Sequence, residues 1–196
     1  MTLQKKDGSK RDKICAFCLF PKVSLTDRRL TMGMNELKAR LGLPPISQIG
    51  MVVKDVQKAA NYYSSLLGVG PFTIYDFVPE MHVFNGEQTY AKVRMGKAMW
   101  NNMELELIQP LEGKSPHMDF LQQRGEGVQH FGFNVPNFDE LYEKFTKEGF
   151  KPLLRSGGYV ETYKGDLKVC YFDTDKAVGI LFEIIWKSWL PECQGK

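Results

Sequence analysis

Polar residues recur at matching places in the two halves of this sequence. The stretch "SQIGMVVKDV" begins at Ser47, and a similar pattern returns 82 residues later as "QHFGFNVPNF". His130 takes the place of Gln48, and Gly132 takes that of Gly50. Because side chains alternate faces along a strand, Gln48 and His130 both point away from their apolar neighbours. An amide oxygen and an imidazole nitrogen at equivalent positions could bind one ligand together.

Each half also ends on a strand that carries one carboxylate between apolar residues. Glu106 stands in "LELIQ" and Glu183 in "LFEII". A buried carboxylate is costly unless it is neutralised, paired or bound to metal. Taken singly, the four polar residues fit ordinary structural roles, but their equivalent positions favour a shared site. The sequence therefore predicts one divalent ion, Zn, Co, Ni or Mn, held by Gln48, Glu106, His130 and Glu183.

Strand and helix patterns alternate in the same order on both sides of the repeat. The first half has a strand at "IGMVV", a helix at "VQKAANYYSSLLG" and strands at "FTIYDFV", "TYAKVRM" and "MELELIQP". Ala59, Tyr62, Tyr63 and Leu66 would form the apolar face of that helix. The second half has a strand at "HFGFNV", a helix at "FDELYEKFTKEG" and strands at "KPLLR", "KVCYF" and "GILFEIIW". The pattern predicts an α+β fold of two tandem βαβββ modules.

Length and charge narrow the function classes. The 196 residues, 43% of them apolar, suffice for one sizeable core. Residues 1–45 hold 10 Lys and Arg against 4 Asp and Glu, and the remaining residues hold 16 against 19. The slightly acidic remainder argues against nucleic acid as a partner. The chain has no apolar stretch of bilayer-spanning length and no signal peptide, so we expect a cytoplasmic protein without a membrane partner.

Residues 1–45 form a predicted N-terminal extension with one short helix that ends at "LGLPP". The domain is predicted over 46–187, with modules at 46–113 and 127–187, and 188–196 as a tail. Cys15 and Cys18 form a CxxC pair that could bind metal or act in redox chemistry, or could be two ordinary thiols. Cys170, in an apolar strand, is expected to be a buried reduced thiol.

The tandem modules resemble the vicinal-oxygen-chelate superfamily, which includes glyoxalase I, methylmalonyl-CoA epimerase, extradiol dioxygenases and bleomycin resistance proteins. The resemblance covers residues 46–187, and "ELIQPL" through "SPHMDFLQQRGEGVQHFGF" is most similar to the epimerases. It implies a curved mixed sheet around a central cleft and places the metal ligands at Gln48, Glu106, His130 and Glu183. Epimerases usually have histidine at the Gln48 position, whereas glutamine there resembles eukaryotic glyoxalase I.

The resemblance implies a metal-dependent epimerase or isomerase that removes an α-proton, with a 2-substituted acyl-CoA as a candidate substrate. Glu183 would be the base, and Glu87, with Glu80 as a competitor, the second acid. A glyoxalase I-like lyase is one alternative, although Val52 stands where that enzyme has an arginine that grips glutathione. A non-catalytic small-molecule binding or resistance protein is another. The superfamily also implies a homodimer.

Overall fold

The computed structural model describes residues 41–193, which form one ten-stranded sheet and four α-helices. The strands are β1 (Gln48–Val52), β2 (Thr73–Phe77), β3 (Met81–Phe84), β4 (Glu87–Gln88), β5 (Ala91–Trp100), β6 (Met103–Gly113), β7 (Gly127–Asn134), β8 (Pro152–Val160), β9 (Gly165–Phe172) and β10 (Leu181–Lys187). The α-helices are α1 (Val56–Leu67), α2 (Pro116–Arg124), α3 (Phe138–Lys147) and α4 (Asp175–Val178), and two 3-10 helices span Glu161–Tyr163 and Pro191–Cys193.

Equivalent strands of the two modules lie in the same order outward from the centre of the sheet. Its order is β2-β5-β6-β1-β7-β10-β9-β8-β3-β4. The central strands β1 and β7 run antiparallel to each other, and each pairs on its other side with a parallel strand, β6 or β10. The sheet curls strongly into a half-barrel. This arrangement confirms the predicted α+β fold with tandem modules.

The β3–β4 hairpin breaks the symmetry between the two halves. It follows β2 in the chain, yet β3 pairs antiparallel with β8 of the other half. The hairpin therefore extends the outer edge of the second half with a segment from the first. Neither this hairpin nor α2 is predicted by the sequence patterns.

Helices α1 and α3 pack on the outer face of the sheet, which leaves the inner face for the cleft. α3 contributes Phe138, Leu141 and Phe145 to an apolar core shared with β7, β9 and β10. Leu41 is also buried in that core. Cys170 is fully buried as a free thiol, as expected.

The predicted apolar face of α1 is partly wrong. Tyr62 and Leu66 are 63% and 62% exposed. The buried residues are Val56 and Ala60, and Tyr63 packs beside them. These three positions, spaced by four and three, form one narrow stripe toward the sheet. The stripe packs closely because Val56 lies over Gly96 of β5, where a Cβ would come within 2.7 Å of its Cγ1.

Some expectations fall outside the described residues. The short helix before "LGLPP" and the Cys15–Cys18 pair both lie there, and the module boundaries stay predictions. Within residues 41–193, no helix is long and apolar enough to span a bilayer.

Candidate metal centre

The four predicted ligands lie on the four adjacent strands at the middle of the sheet. Gln48 is on β1, Glu106 on β6, His130 on β7 and Glu183 on β10. Their exposed fractions are 1%, 2%, 0% and 3%. Period-two alternation explains this position, because the residues on either side of each one point to the outer face.

Three of these side chains converge on one point. Glu106, His130 and Glu183 each offer a ligand atom, and the three atoms lie within 4.8 Å of one another. His130 Nε2 is 3.3 Å from Glu106 Oε2 and 3.2 Å from Glu183 Oε2. A carboxylate from each half therefore flanks the single imidazole.

The donor atoms of this centre are buried and unsatisfied. Within the described part of the chain, seven buried side-chain N or O atoms lack a hydrogen-bond partner of good geometry. Four of them belong to the predicted ligands: Gln48 Oε1, Glu106 Oε2, His130 Nε2 and Glu183 Oε2. A buried polar atom without a partner costs about 1–3 kcal/mol. A divalent cation would satisfy all four donors and two carboxylate charges, so the residues present fit such an ion.

Two glycines make room for the converging side chains. In the antiparallel β1–β7 pair, Gly50 lies opposite His130, and Gln48 lies opposite Gly132. A Cβ on Gly50 would overlap the His130 ring, and a Cβ on Gly132 would come within 2.6 Å of Gln48 Oε1. Each half thus supplies a glycine that accommodates the polar side chain of the other half. The repeated Gln-x-Gly and His-x-Gly patterns in the sequence have this physical cause.

Neighbouring charges set the ionisation of the centre without metal. Burial favours a raised pKa for Glu106, but Lys97 and His130 hold that pKa well below its usual range. Burial lowers the pKa of His130, and the carboxylates of Glu183 and Glu106 outweigh this effect and raise it to about 9. The imidazole is therefore protonated on both nitrogens, and positively charged, when no metal is bound.

A small cavity of about 50 Å³ adjoins the centre, and Lys97, Glu106 and Glu183 lie in its wall. Most of the remaining lining residues are apolar: Phe77, Pro79, Ala91, Val93, Met95, Ile108, Leu154, Leu167, Val169 and Ile185. A space of this size holds an ion, a few waters or the reacting part of a substrate.

His117 lines the same cavity and was not predicted as a site residue. Its Nδ1 lies 2.7 Å from Gln129 Oε1, and Gln129 Nε2 donates to Pro116 O at 2.8 Å. Because this second bond turns the amide oxygen toward the ring, Nδ1 is the donor and Nε2 the acceptor nitrogen. Burial and the nearby His130 lower the pKa of His117 to about 4, so the ring is neutral.

The other acids predicted from sequence do not join the centre. Glu87 lies on β4 and is exposed, and Glu80 is exposed and accepts a hydrogen bond from Tyr159 N at 3.3 Å. Neither lines the cavity. Lys97 and Lys187, in contrast, are buried on the inner face, although no sequence argument singled them out. The signal available was their period-two spacing from Met95 and Ile185 on the same strands.

Comparison with known proteins identifies similar chains. The family model of the Glyoxalase/Bleomycin resistance protein/Dioxygenase superfamily matches residues 47–171. The uncharacterized protein YqjC of Bacillus subtilis is 30% identical over 139 residues, which cover 71% of this chain and 89% of that protein.

Solved structures share the fold. A methylmalonyl-CoA epimerase from Mycobacterium tuberculosis matches with a TM-score of 0.55 at 18% identity, over 74% of this chain and 88% of that one. A variant of the Streptomyces coelicolor methylmalonyl-CoA epimerase, in complex with 2-nitronate-propionyl-CoA, matches with a TM-score of 0.54 at 20% identity, over 74% and 97%. A hypothetical protein from Bacillus halodurans gives 0.52 at 21% identity, over 72% and 93%.

Proposed function

The chain belongs to the Glyoxalase/Bleomycin resistance protein/Dioxygenase superfamily, and we propose that it is a metal-dependent epimerase or isomerase that abstracts an α-proton from its substrate. The observation that carries the proposal is the set of four buried, unsatisfied donors, Gln48 Oε1, Glu106 Oε2, His130 Nε2 and Glu183 Oε2. A divalent ion held by them would supply Lewis-acid stabilisation of the enolate charge that develops when the proton leaves.

Glu183 is the proposed base. It lies in the cavity wall with Oε2 unsatisfied, between the apolar side chains of Leu181 and Ile185 on the inner face of β10. The cavity wall beside it is largely apolar, so a substrate that binds there would bring its α-carbon within reach of this carboxylate. Burial and the charge of Glu183 raise the pKa of the adjacent Tyr171 well above its usual value, so that hydroxyl stays neutral.

Inversion of the α-carbon requires a second group that delivers a proton on the opposite face. Glu87 is the residue predicted for this role from the resemblance, and its side chain is exposed. His117 is neutral and lines the cavity with Glu183. Substitution of this second proton donor should abolish inversion while exchange of the α-proton continues, and this outcome would identify the residue.

A 2-substituted acyl-CoA is the proposed substrate class. Two of the similar structures are methylmalonyl-CoA epimerases, and one of them holds 2-nitronate-propionyl-CoA. The cavity admits only the reacting head of such a molecule, so the remainder would extend out of it.

A glyoxalase I-like lyase is the second candidate, because Gln48, Glu106, His130 and Glu183 match the ligand types of that enzyme. Val52 counts against it, since this residue is fully buried and apolar where an arginine would grip glutathione. Four buried, unsatisfied donors count against a binding protein without metal chemistry, because such a protein would not need them.

The test is deuterium exchange at the α-carbon, followed by proton NMR in heavy water with a set of chiral 2-methyl acyl thioesters. Glu183→Gln keeps the size and one oxygen donor but removes the proton acceptor, so exchange should fall by about 10²- to 10⁴-fold. Gln48→Ala is the matched control, because it removes a neutral donor and excess metal should largely restore its activity. Exchange at the parent rate in metal-loaded Glu183→Gln would exclude Glu183 as the base.

A further inference from the structure

A row of buried charges lies beside the metal centre on the inner face of the sheet. Lys97 on β5 and Lys187 on β10 are 7% and 4% exposed. Glu104 on β6 lies between them, with its side chain 19% exposed. Lysine is almost never buried without a partner, so the row needs a structural or functional reason.

Glu104 connects the row to Gln48. Its Oε1 accepts a hydrogen bond from Gln48 Nε2 at 2.6 Å and one from Lys187 Nζ at 3.1 Å. Lys97 Nζ lies 3.6 Å from the same oxygen. Because the amide nitrogen is turned to Glu104, the amide oxygen of Gln48 must point the other way.

Lys97 connects the row to Glu106. Its Nζ lies 2.7 Å from Glu106 Oε1. The other oxygen, Oε2, faces His130 at 3.3 Å and has no hydrogen-bond partner. Glu106 and Gln48 therefore share one pattern. In each side chain, one polar atom is bonded to a residue of the row, and the remaining oxygen is unsatisfied.

We propose that Lys97 and Glu104, supported by Lys187, are positioning residues that make Gln48 and Glu106 present one fixed oxygen each to the metal. Partners of this kind orient metal ligands and tune the affinity of a site. The inference rests on the proposed function, since it concerns the same ion.

The charge of Lys97 predicts the direction in which metal affinity should change when this residue is replaced. Its ammonium lies 2.7 Å from Glu106 Oε1 and 3.6 Å from Glu104 Oε1, so it pairs with two carboxylates. That ammonium competes with a divalent ion for the carboxylate of Glu106. Without it, both oxygens of Glu106 become available to the ion, and a nearby positive charge is lost.

Lys187 offers a matched control. It is as buried as Lys97 and donates to the same oxygen of Glu104, but among the described residues it forms no ion pair with any of the four predicted ligands. Lys97→Met and Lys187→Met thus remove the same charge from the same row. Only the first releases Glu106.

The experiment compares metal-free parent, Lys97→Met and Lys187→Met by competition with a chelator for Co²⁺ and by the visible Co²⁺ spectrum. Lys97→Met should bind Co²⁺ at least about tenfold more tightly and show a changed spectrum. Lys187→Met should keep the parent spectrum and show a smaller gain in affinity. If Lys97→Met does not fold, Lys97→Gln takes its place: it removes the charge but keeps an amide donor, so it should show the gain in affinity with a smaller change in the spectrum.

The outcomes separate the two claims. If Lys97→Met and Lys187→Met have the same spectrum and affinity, Lys97 positions nothing and the inference is wrong. If the parent binds no divalent ion at all, the proposed function fails first, and the row serves only to neutralise buried carboxylates.

Discussion

His130 is the residue of the centre whose protonation would have to change when a metal ion binds. Without metal it lies between Glu106 and Glu183, and these carboxylates raise its pKa to about 9 against the opposing effect of burial. A metal ligand must offer the lone pair of Nε2, so the ion has to displace that proton. Metal binding at this residue would therefore be coupled to proton release.

We predict that metal binding at pH 7.5 releases about one proton from His130, measured by calorimetry in two buffers of different ionisation enthalpy. The apparent affinity should rise about tenfold per pH unit and level off above about pH 9. In metal-free protein, the ion pairs of protonated His130 with Glu106 and Glu183 stabilise the fold fully below pH 6.5. This contribution is lost as the pH rises through about 9. Metal binding that is independent of pH, without proton release, would contradict this picture.

The places of the four predicted ligands on the inner face of the sheet could be predicted from sequence because they follow from local rules. Period-two alternation gives the face of Gln48 or Glu183, and the repeat gives the partner. Lys97 and Glu104 could not be predicted in the same way. Both alternate with apolar residues as solvent-facing residues also do, and lysine is usually exposed. Only the curl of the sheet turns that face inward.

At the level of elements, the β1–β7 pair is the part of the sheet that builds the centre. Its register sets Gly50 against His130 and Gly132 against Gln48. A slip by one residue between β1 and β7 would turn the polar side chains of one half to the outer face, away from those of the other half.

We predict that Gly50→Ala lowers the free energy of unfolding by more than about 2 kcal/mol and abolishes metal binding, because its methyl group overlaps the rigid His130 ring. Gly132→Ala should cost less, because Gln48 and the end of Ile185 can shift. Urea unfolding of Gly50→Ala, His130→Ala and the double variant measures the coupling. The double variant should be more stable than the sum of the single losses implies. Additive losses would mean that Gly50 does not make room for His130.

The β3–β4 hairpin shows where local sequence rules fail for an element. "MHVF" is short, and its pairing partner β8 comes about 70 residues later in the chain. His82 of this hairpin bonds to Ser156 and to Lys114 O, at 3.2 Å and 2.9 Å. These contacts join residues that are far apart in the sequence, so no pattern within the hairpin itself predicts them.

At the scale of the whole molecule, two modules share one site because the strands that carry its donors meet at the centre of the sheet. The hairpin from the first half pairs with the second, and Tyr75 of β2 contacts Tyr163 edge to face at 5.7 Å. The two halves are thus in contact outside the β1–β7 pair as well. The homodimer inferred from the superfamily stays a prediction.

Metal content tests the central claim most directly. Protein purified without chelator should contain about one divalent ion per chain, and metal-free protein should take up one equivalent of Zn, Co, Ni or Mn, because the four buried donors lack a hydrogen-bond partner of good geometry. Protein that is metal-free as purified and binds none of these ions would contradict the account, and with it the proposed enzyme.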